Sequence, residues 1–146
     1  KQIVSADLVA RFGHLLVAYQ LLDFGVRTEG HSGAWVVHGP DGTERGLQIY
    51  VVDGDSAPGG ICSWGIVQDP GMDIVALVDI ASERVWLLEA TDVQRLSKAQ
   101  ADGSRLIYTY AMPTFDAEKT GHAVFTSDFD ALLLPNQVTA LMHLAP

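Results

Sequence analysis

Residues 45–54 read RGLQIYVVDG, and the folding of this stretch decides the reading of the chain. Leu47, Ile49, Val51 and Val52 are apolar and largely β-branched, and an Asp-Gly pair closes the run, so the stretch is predicted to be a β-strand. Strand side chains alternate between faces, which puts Gln48 and Tyr50 together on one of them. Just upstream, AWVVH (34–38) is a second strand-like run, and Gly39-Pro40-Asp41-Gly42 lies between the two. Two such runs around a turn signal predict an antiparallel hairpin.

Working outward, the N-terminal side predicts a helix. Ser5 suits an N-cap, Asp7 suits the positive end of the helix dipole, and Gly25 suits the residue past the C-terminus. Leu8, Phe12, Leu15, Leu16, Tyr19 and Leu22 recur at spacings of three and four, the pattern of a helix laid with one apolar stripe on a sheet. His14 lies near the edge of that stripe. VRTEGHSG (26–33) reads as a turn-rich approach to the hairpin.

On the other side, residues 53–60 are a loop by composition, and ICSWGIV (61–67) reads as a further strand. After a turn at 68–72, DIVALVDI (73–80) and RVWLLEA (84–90) read as two more. The unbroken IVALV predicts a central strand covered on both faces. Thr91 is placed as the cap of a short helix over 92–99 with Val93 and Leu96 inward, and 105–112 reads as β-structure stopped by Pro113. The tail reads as a loop and short helices, one capped by Ser127 and one opened by Pro135. The expected architecture is α/β (α+β): one domain over 1–146, a mixed sheet of about five to six strands, the first helix packed on it, and short C-terminal helices.

Composition bounds the function. At 146 residues and 48% apolar content, the chain can bury one core and is not of the disordered class. Eighteen acids against nine bases give a net charge of −9, which repels phosphate backbones and makes nucleic acid an unfavoured partner. The single cysteine, Cys62, cannot close an internal disulfide and suits a reducing compartment. No run is long enough for a membrane helix and no signal peptide is visible, so a cytoplasmic location is expected. A start at Lys1 rather than methionine is what a fragment or trimmed chain would show.

The order of elements, with particular residues, resembles the PD-(D/E)XK nuclease superfamily. FGHLLVAYQLLDFGVRTE (12–29) has the cadence of that family's opening helix, LQIYVV is similar to its Glu/Gln-x-Lys strand, and DIVALVDIASERVWLLEATDVQRL (73–96) is similar to its strand-turn-strand-helix close. The likeness covers roughly residues 5 to 112, leaving 113–146 as a helical tail, and it implies a restriction-endonuclease-like fold. It also implies a site in which acidic oxygens hold Mg²⁺ and a lysine polarises the nucleophile. Laid on this chain, the helix glutamate becomes His14, the aspartate of the first hairpin strand falls near Ala34, Gln48 can stand for a ligand, and the lysine becomes Tyr50.

A set of His, Ala and Gln offers a hard cation no negative charge, and a tyrosine with an ordinary pKa of about 10 supplies no cation at pH 7. The expectation is therefore a catalytically inactive member with no metal or cofactor. It would keep His14, Gln48 and Tyr50 as a degenerate pocket and act as a protein-binding or scaffold module, with a homo-oligomer compatible. The alternatives are a divergent metal-dependent nuclease or phosphodiesterase whose acids have migrated, to Asp53 or Asp73, and an unrelated α+β oligomerisation or binding domain.

Other groupings carry less. His31 and His38 with Glu29 could approach one another at the hairpin, but their spacing matches no ligand motif. Asp53, Asp55, Asp69 and Asp73 are explained by turn chemistry. Cys62 is expected to be inert, and Trp35, Trp64 and Trp86 to fill the core.

Overall fold

A computed structural model describes residues 6–31, 34–56, 61–67, 72–110 and 132–142. Helix α1 (Ala6–Leu22) leads into strands β1 (Arg27–His31), β2 (Ala34–His38) and β3 (Glu44–Val52), and a 3-10 turn follows at Gly54–Ser56. Then come β4 (Ile61–Ile66), β5 (Ile74–Asp79), β6 (Arg84–Glu89), α2 (Ala90–Leu96), β7 (Lys98–Ala99), β8 (Arg105–Tyr110) and α3 (Leu134–Leu141). Five strands form one mixed sheet in the order β1-β2-β3-β5-β6, and β4-β8-β7 form a second, smaller sheet. All neighbours in the large sheet are antiparallel except β3 and β5, which run parallel with Leu47 opposite Ile74 and Val52 opposite Asp79. The fold is α+β, with the hairpin at β2 and β3 as expected.

Period-2 alternation on β3 divides the molecule into two cores. Leu47, Ile49 and Val51 pack with Val17 and Leu21 of α1 and with Leu134, Val138 and Leu141 of α3. Tyr50 and Val52 point to the opposite core, where Cys62, Trp64 and Ile66 of β4 meet Leu77, Trp86 and Leu88 beneath α2 residues Val93 and Leu96. All six residues of β5 are buried, as a strand with layers on both faces requires. Trp64 and Trp86 meet edge to face at 5.5 Å inside the second core.

Three expectations change. The approach at 26–33 contains strand β1, which pairs with β2 from Arg27↔His38 to His31↔Ala34; the glycines of a turn-like composition are tolerated because Gly30 lies under the Trp35 ring. Helix α2 starts two residues earlier than expected, with Glu89 as N-cap in a reciprocal capping box with Asp92, and ends at Leu96 so that Lys98–Ala99 can pair with β8. The predicted cap at Ser127 lies outside the described residues.

The third change concerns α1. Of the predicted stripe only Leu16 packs against the core; Leu8 (55%), Phe12 (46%), Leu15 (68%), Tyr19 (69%) and Leu22 (58%) stand exposed. The buried face is Gly13, Val17 and Leu21. The reason is steric. A Cβ on Gly13 would lie 2.3 Å from Val51 Cγ2, so the helix backbone rests directly on β3 along a line only small residues allow.

Candidate functional site

The polar face of β3 does bring Gln48 and Tyr50 together, and both converge on one residue. Tyr50 Oη donates to the Val67 carbonyl at 3.0 Å and accepts from the Val67 amide at 3.2 Å, while Gln48 Nε2 donates to the same carbonyl at 3.3 Å. Val67 follows the last residue of β4, so these bonds tie the second sheet to the centre of the first. Gln48 Oε1 is buried without a hydrogen-bond partner among the described residues.

His14 does not share this pocket. Its ring meets Trp35, centroids 5.0 Å apart, and Trp35 packs in the core on the α1 side of the sheet, opposite Tyr50. Burial lowers the His14 pKa. Ala34 pairs with His31 at the end of the β1-β2 hairpin where the two strands connect.

The two acids proposed as a displaced site are separated by the length of a strand. Asp53 follows β3, where its carboxylate accepts from the Asp55 amide at 3.1 Å. Asp73 precedes β5, where its carboxylate accepts from Gly46 at 2.9 Å. Because β3 and β5 run parallel, residues 53 and 73 mark opposite ends, roughly 20 Å apart at strand rise. Asp73 is thereby brought within two residues of Gln48, and Asp53 is not.

His38 is the one other histidine whose contacts are described near the hairpin. Its Nε2 lies 3.2 Å from Glu29 and its Nδ1 3.3 Å from Glu44, so carboxylates on β1 and β3 occupy both ring nitrogens. Among the described residues no three His, Cys, Asp or Glu side chains gather as a metal site. The Mg²⁺ implied by the resemblance finds at β3 one amide oxygen, one phenol and the Asp73 carboxylate already held by Gly46; this donor set does not fit a hard cation that needs several acidic oxygens.

Sequence reading passed over the most constrained carboxylate among the described residues. Asp79, fully buried at the end of β5, accepts from the Gly54 amide (2.7 Å), the Ala81 amide (3.1 Å) and the Ser82 hydroxyl (2.7 Å). Arg84, its cross-strand partner, lies 3.6 Å away with its guanidinium over the Trp86 ring. The only signal was an acid ending an otherwise apolar run before Ala81-Ser82-Glu83. Burial, then the nearby Asp79 carboxylate, pushes the Cys62 thiol up to about 12, which keeps it protonated and inert.

No protein-family model and no curated protein matches this chain. Among solved structures the chain is similar to a bacterial homing endonuclease, with a TM-score of 0.60 at 13% identity, covering 94% of this chain and 96% of that one. The fold is nuclease-like. At that identity the likeness speaks for the architecture, and the side chains speak for the chemistry. The mixed sheet with an N-terminal helix is thus shared with a nuclease, whereas the strand that the resemblance marks for catalysis carries Gln48 and Tyr50 bonded to Val67.

Proposed function

We propose that this chain is a degenerate PD-(D/E)XK-like domain that has lost hydrolysis and works as a protein-binding or scaffold module in the cytoplasm. One observation carries the reading: the phenol at the lysine position gives its proton to the Val67 carbonyl and takes one from the Val67 amide. A side chain engaged in this way braces the two sheets against each other and offers no ammonium to a nucleophile. The net charge of −9 favours protein over nucleic acid as partner, and the single buried thiol of Cys62 is in keeping with a reducing compartment. Calorimetric titration with Mg²⁺ and with Mn²⁺ tests the chemistry: no saturable heat is expected, and stoichiometric binding lost in Asp73→Ala would contradict it.

A second reading, a divergent metal-dependent nuclease, is favoured by one feature. Gln48 Oε1 is a buried acceptor with no described partner, and Asp73 is held two residues away along β3. A cation there would satisfy that oxygen. The titration separates the two readings.

A further inference from the structure

Helix α1 has two apolar faces, and among the described residues the core takes one. Gly13, Val17 and Leu21 lie on β3, while Leu8, Phe12, Leu15, Tyr19 and Leu22 face outward at 46–69% exposure along the whole helix. Their spacings alternate four, three, four, three, the a/d pattern of a helix that pairs with another helix. A scatter of exposed apolar residues is ordinary; five large ones in one continuous seam mark an interface.

The order of side chains along the seam identifies the partner. Read from either end it is leucine, aromatic, leucine, aromatic, leucine, with Leu15 at the centre. A two-fold interface requires that when residue i meets residue j, j also meets i. Antiparallel pairing about Leu15 meets that condition: Leu8 faces Leu22 of the second copy, Leu15 faces itself, and Phe12 falls within one residue of Tyr19, close enough for two aromatic rings to pack. Beside the seam runs a groove lined by Leu8, Val9, Arg11, Phe12, Leu15 and Ile80, a place for the far end of the second helix to seat.

The area suffices. At roughly 100 Å² each, the five side chains offer about 500 Å² per copy and about 1,000 Å² per pair, the lower bound for a specific interface, before flanking residues are counted. Charge does not oppose it locally: along the helix the only ionised side chains are Asp7 and Arg11, paired with each other at 3.3 Å. We infer that the exposed face of α1 is a homodimer interface, a second copy of this chain packing its own α1 antiparallel across Leu15. The inference does not depend on whether the domain cleaves anything.

Sedimentation equilibrium across the micromolar range tests it. The expected mass is twice the 15.7 kDa of the chain, strengthened by added salt because two acidic bodies approach. Leu15→Asp, a change at an exposed position, should give a monomer with an unchanged far-ultraviolet circular dichroism spectrum. Leu15→Cys should form a disulfide with itself under mild oxidation, whereas Leu8→Cys should not, and Leu8→Cys mixed with Leu22→Cys should. A wild-type monomer, an oligomer indifferent to Leu15→Asp, or self-linking of Leu8→Cys would each overturn the proposal.

Discussion

Tyr50 and Val67 are joined by two hydrogen bonds. One phenol oxygen bonds both backbone groups of one residue, at 3.0 Å and 3.2 Å, and so fixes the exit of β4 against the centre of β3. Tyr50→Phe keeps the ring in the second core and removes only the oxygen. It should cost about 0.5–1.5 kcal/mol, the ordinary net worth of a hydrogen bond, because Val67 is exposed to water and Gln48 still donates to its carbonyl. Tyr50→Lys should cost more, since an ammonium can donate to the carbonyl but cannot accept from the amide. Urea unfolding of the three proteins measures both.

Gly13 against Val51 sets how close α1 lies to the sheet. Alanine is the better helix former by about 1 kcal/mol, so a solvent-facing glycine in a helix would gain from the change. Here the new Cβ would fall 2.3 Å and 2.6 Å from the two Val51 methyls. Gly13→Ala should therefore destabilise by about 1–3 kcal/mol, and adding Val51→Ala should recover part of that loss, a coupling that a double-mutant cycle detects.

Asp79 joins the end of β5, the 3-10 turn after β3 and the β5-β6 turn through three donors and one guanidinium. Asp79→Ala strands all of these and should cost about 3–5 kcal/mol, the penalty for breaking a buried network from one side. Asp79→Asn keeps the shape and one acceptor, and should cost less. Thermal melts of both variants, with intact near-ultraviolet spectra at low temperature, check this ranking.

The buried edge of α1 gives stability a pH dependence. Burial lowers the His14 pKa below its ordinary value of 6.5, so the unfolded chain binds a proton that the folded chain refuses. The His14 contribution is fully present above about pH 6.5 and is lost as pH falls from there through the lowered folded value. His14→Gln should flatten that component in denaturant unfolding between neutral and mildly acidic pH, leaving the slope from carboxylates at lower pH unchanged.

What the sequence disclosed and what it withheld divide along a physical line. Strands β2, β3, β5 and β6 were legible because their periodicity is unambiguous: IVALV can only be a strand covered on both sides, and LQIYVV can only alternate. The common face of Gln48 and Tyr50 followed from that alternation. The orientation of α1 was not legible, because the helix is apolar nearly all round and two stripes compete. The longer, bulkier stripe looks like the core face, yet contact with a flat sheet selects the stripe that contains Gly13. Strand β1 was hidden by glycine and polar residues that owe their place to pairing with β2 and the cover of Trp35. The role of Asp79 was invisible because its partners lie 25 residues upstream and just downstream, and only the fold brings them together.

The central claim is that the nuclease-like fold survives here without its hydrolytic chemistry. A nicking assay on supercoiled DNA, run with excess protein and Mg²⁺ or Mn²⁺, addresses it most directly. The account predicts no conversion to open-circular or linear DNA with either metal, for the wild type and for Gln48→Ala alike. Metal-dependent nicking by the wild type that disappears in Asp73→Ala or Gln48→Ala would contradict it.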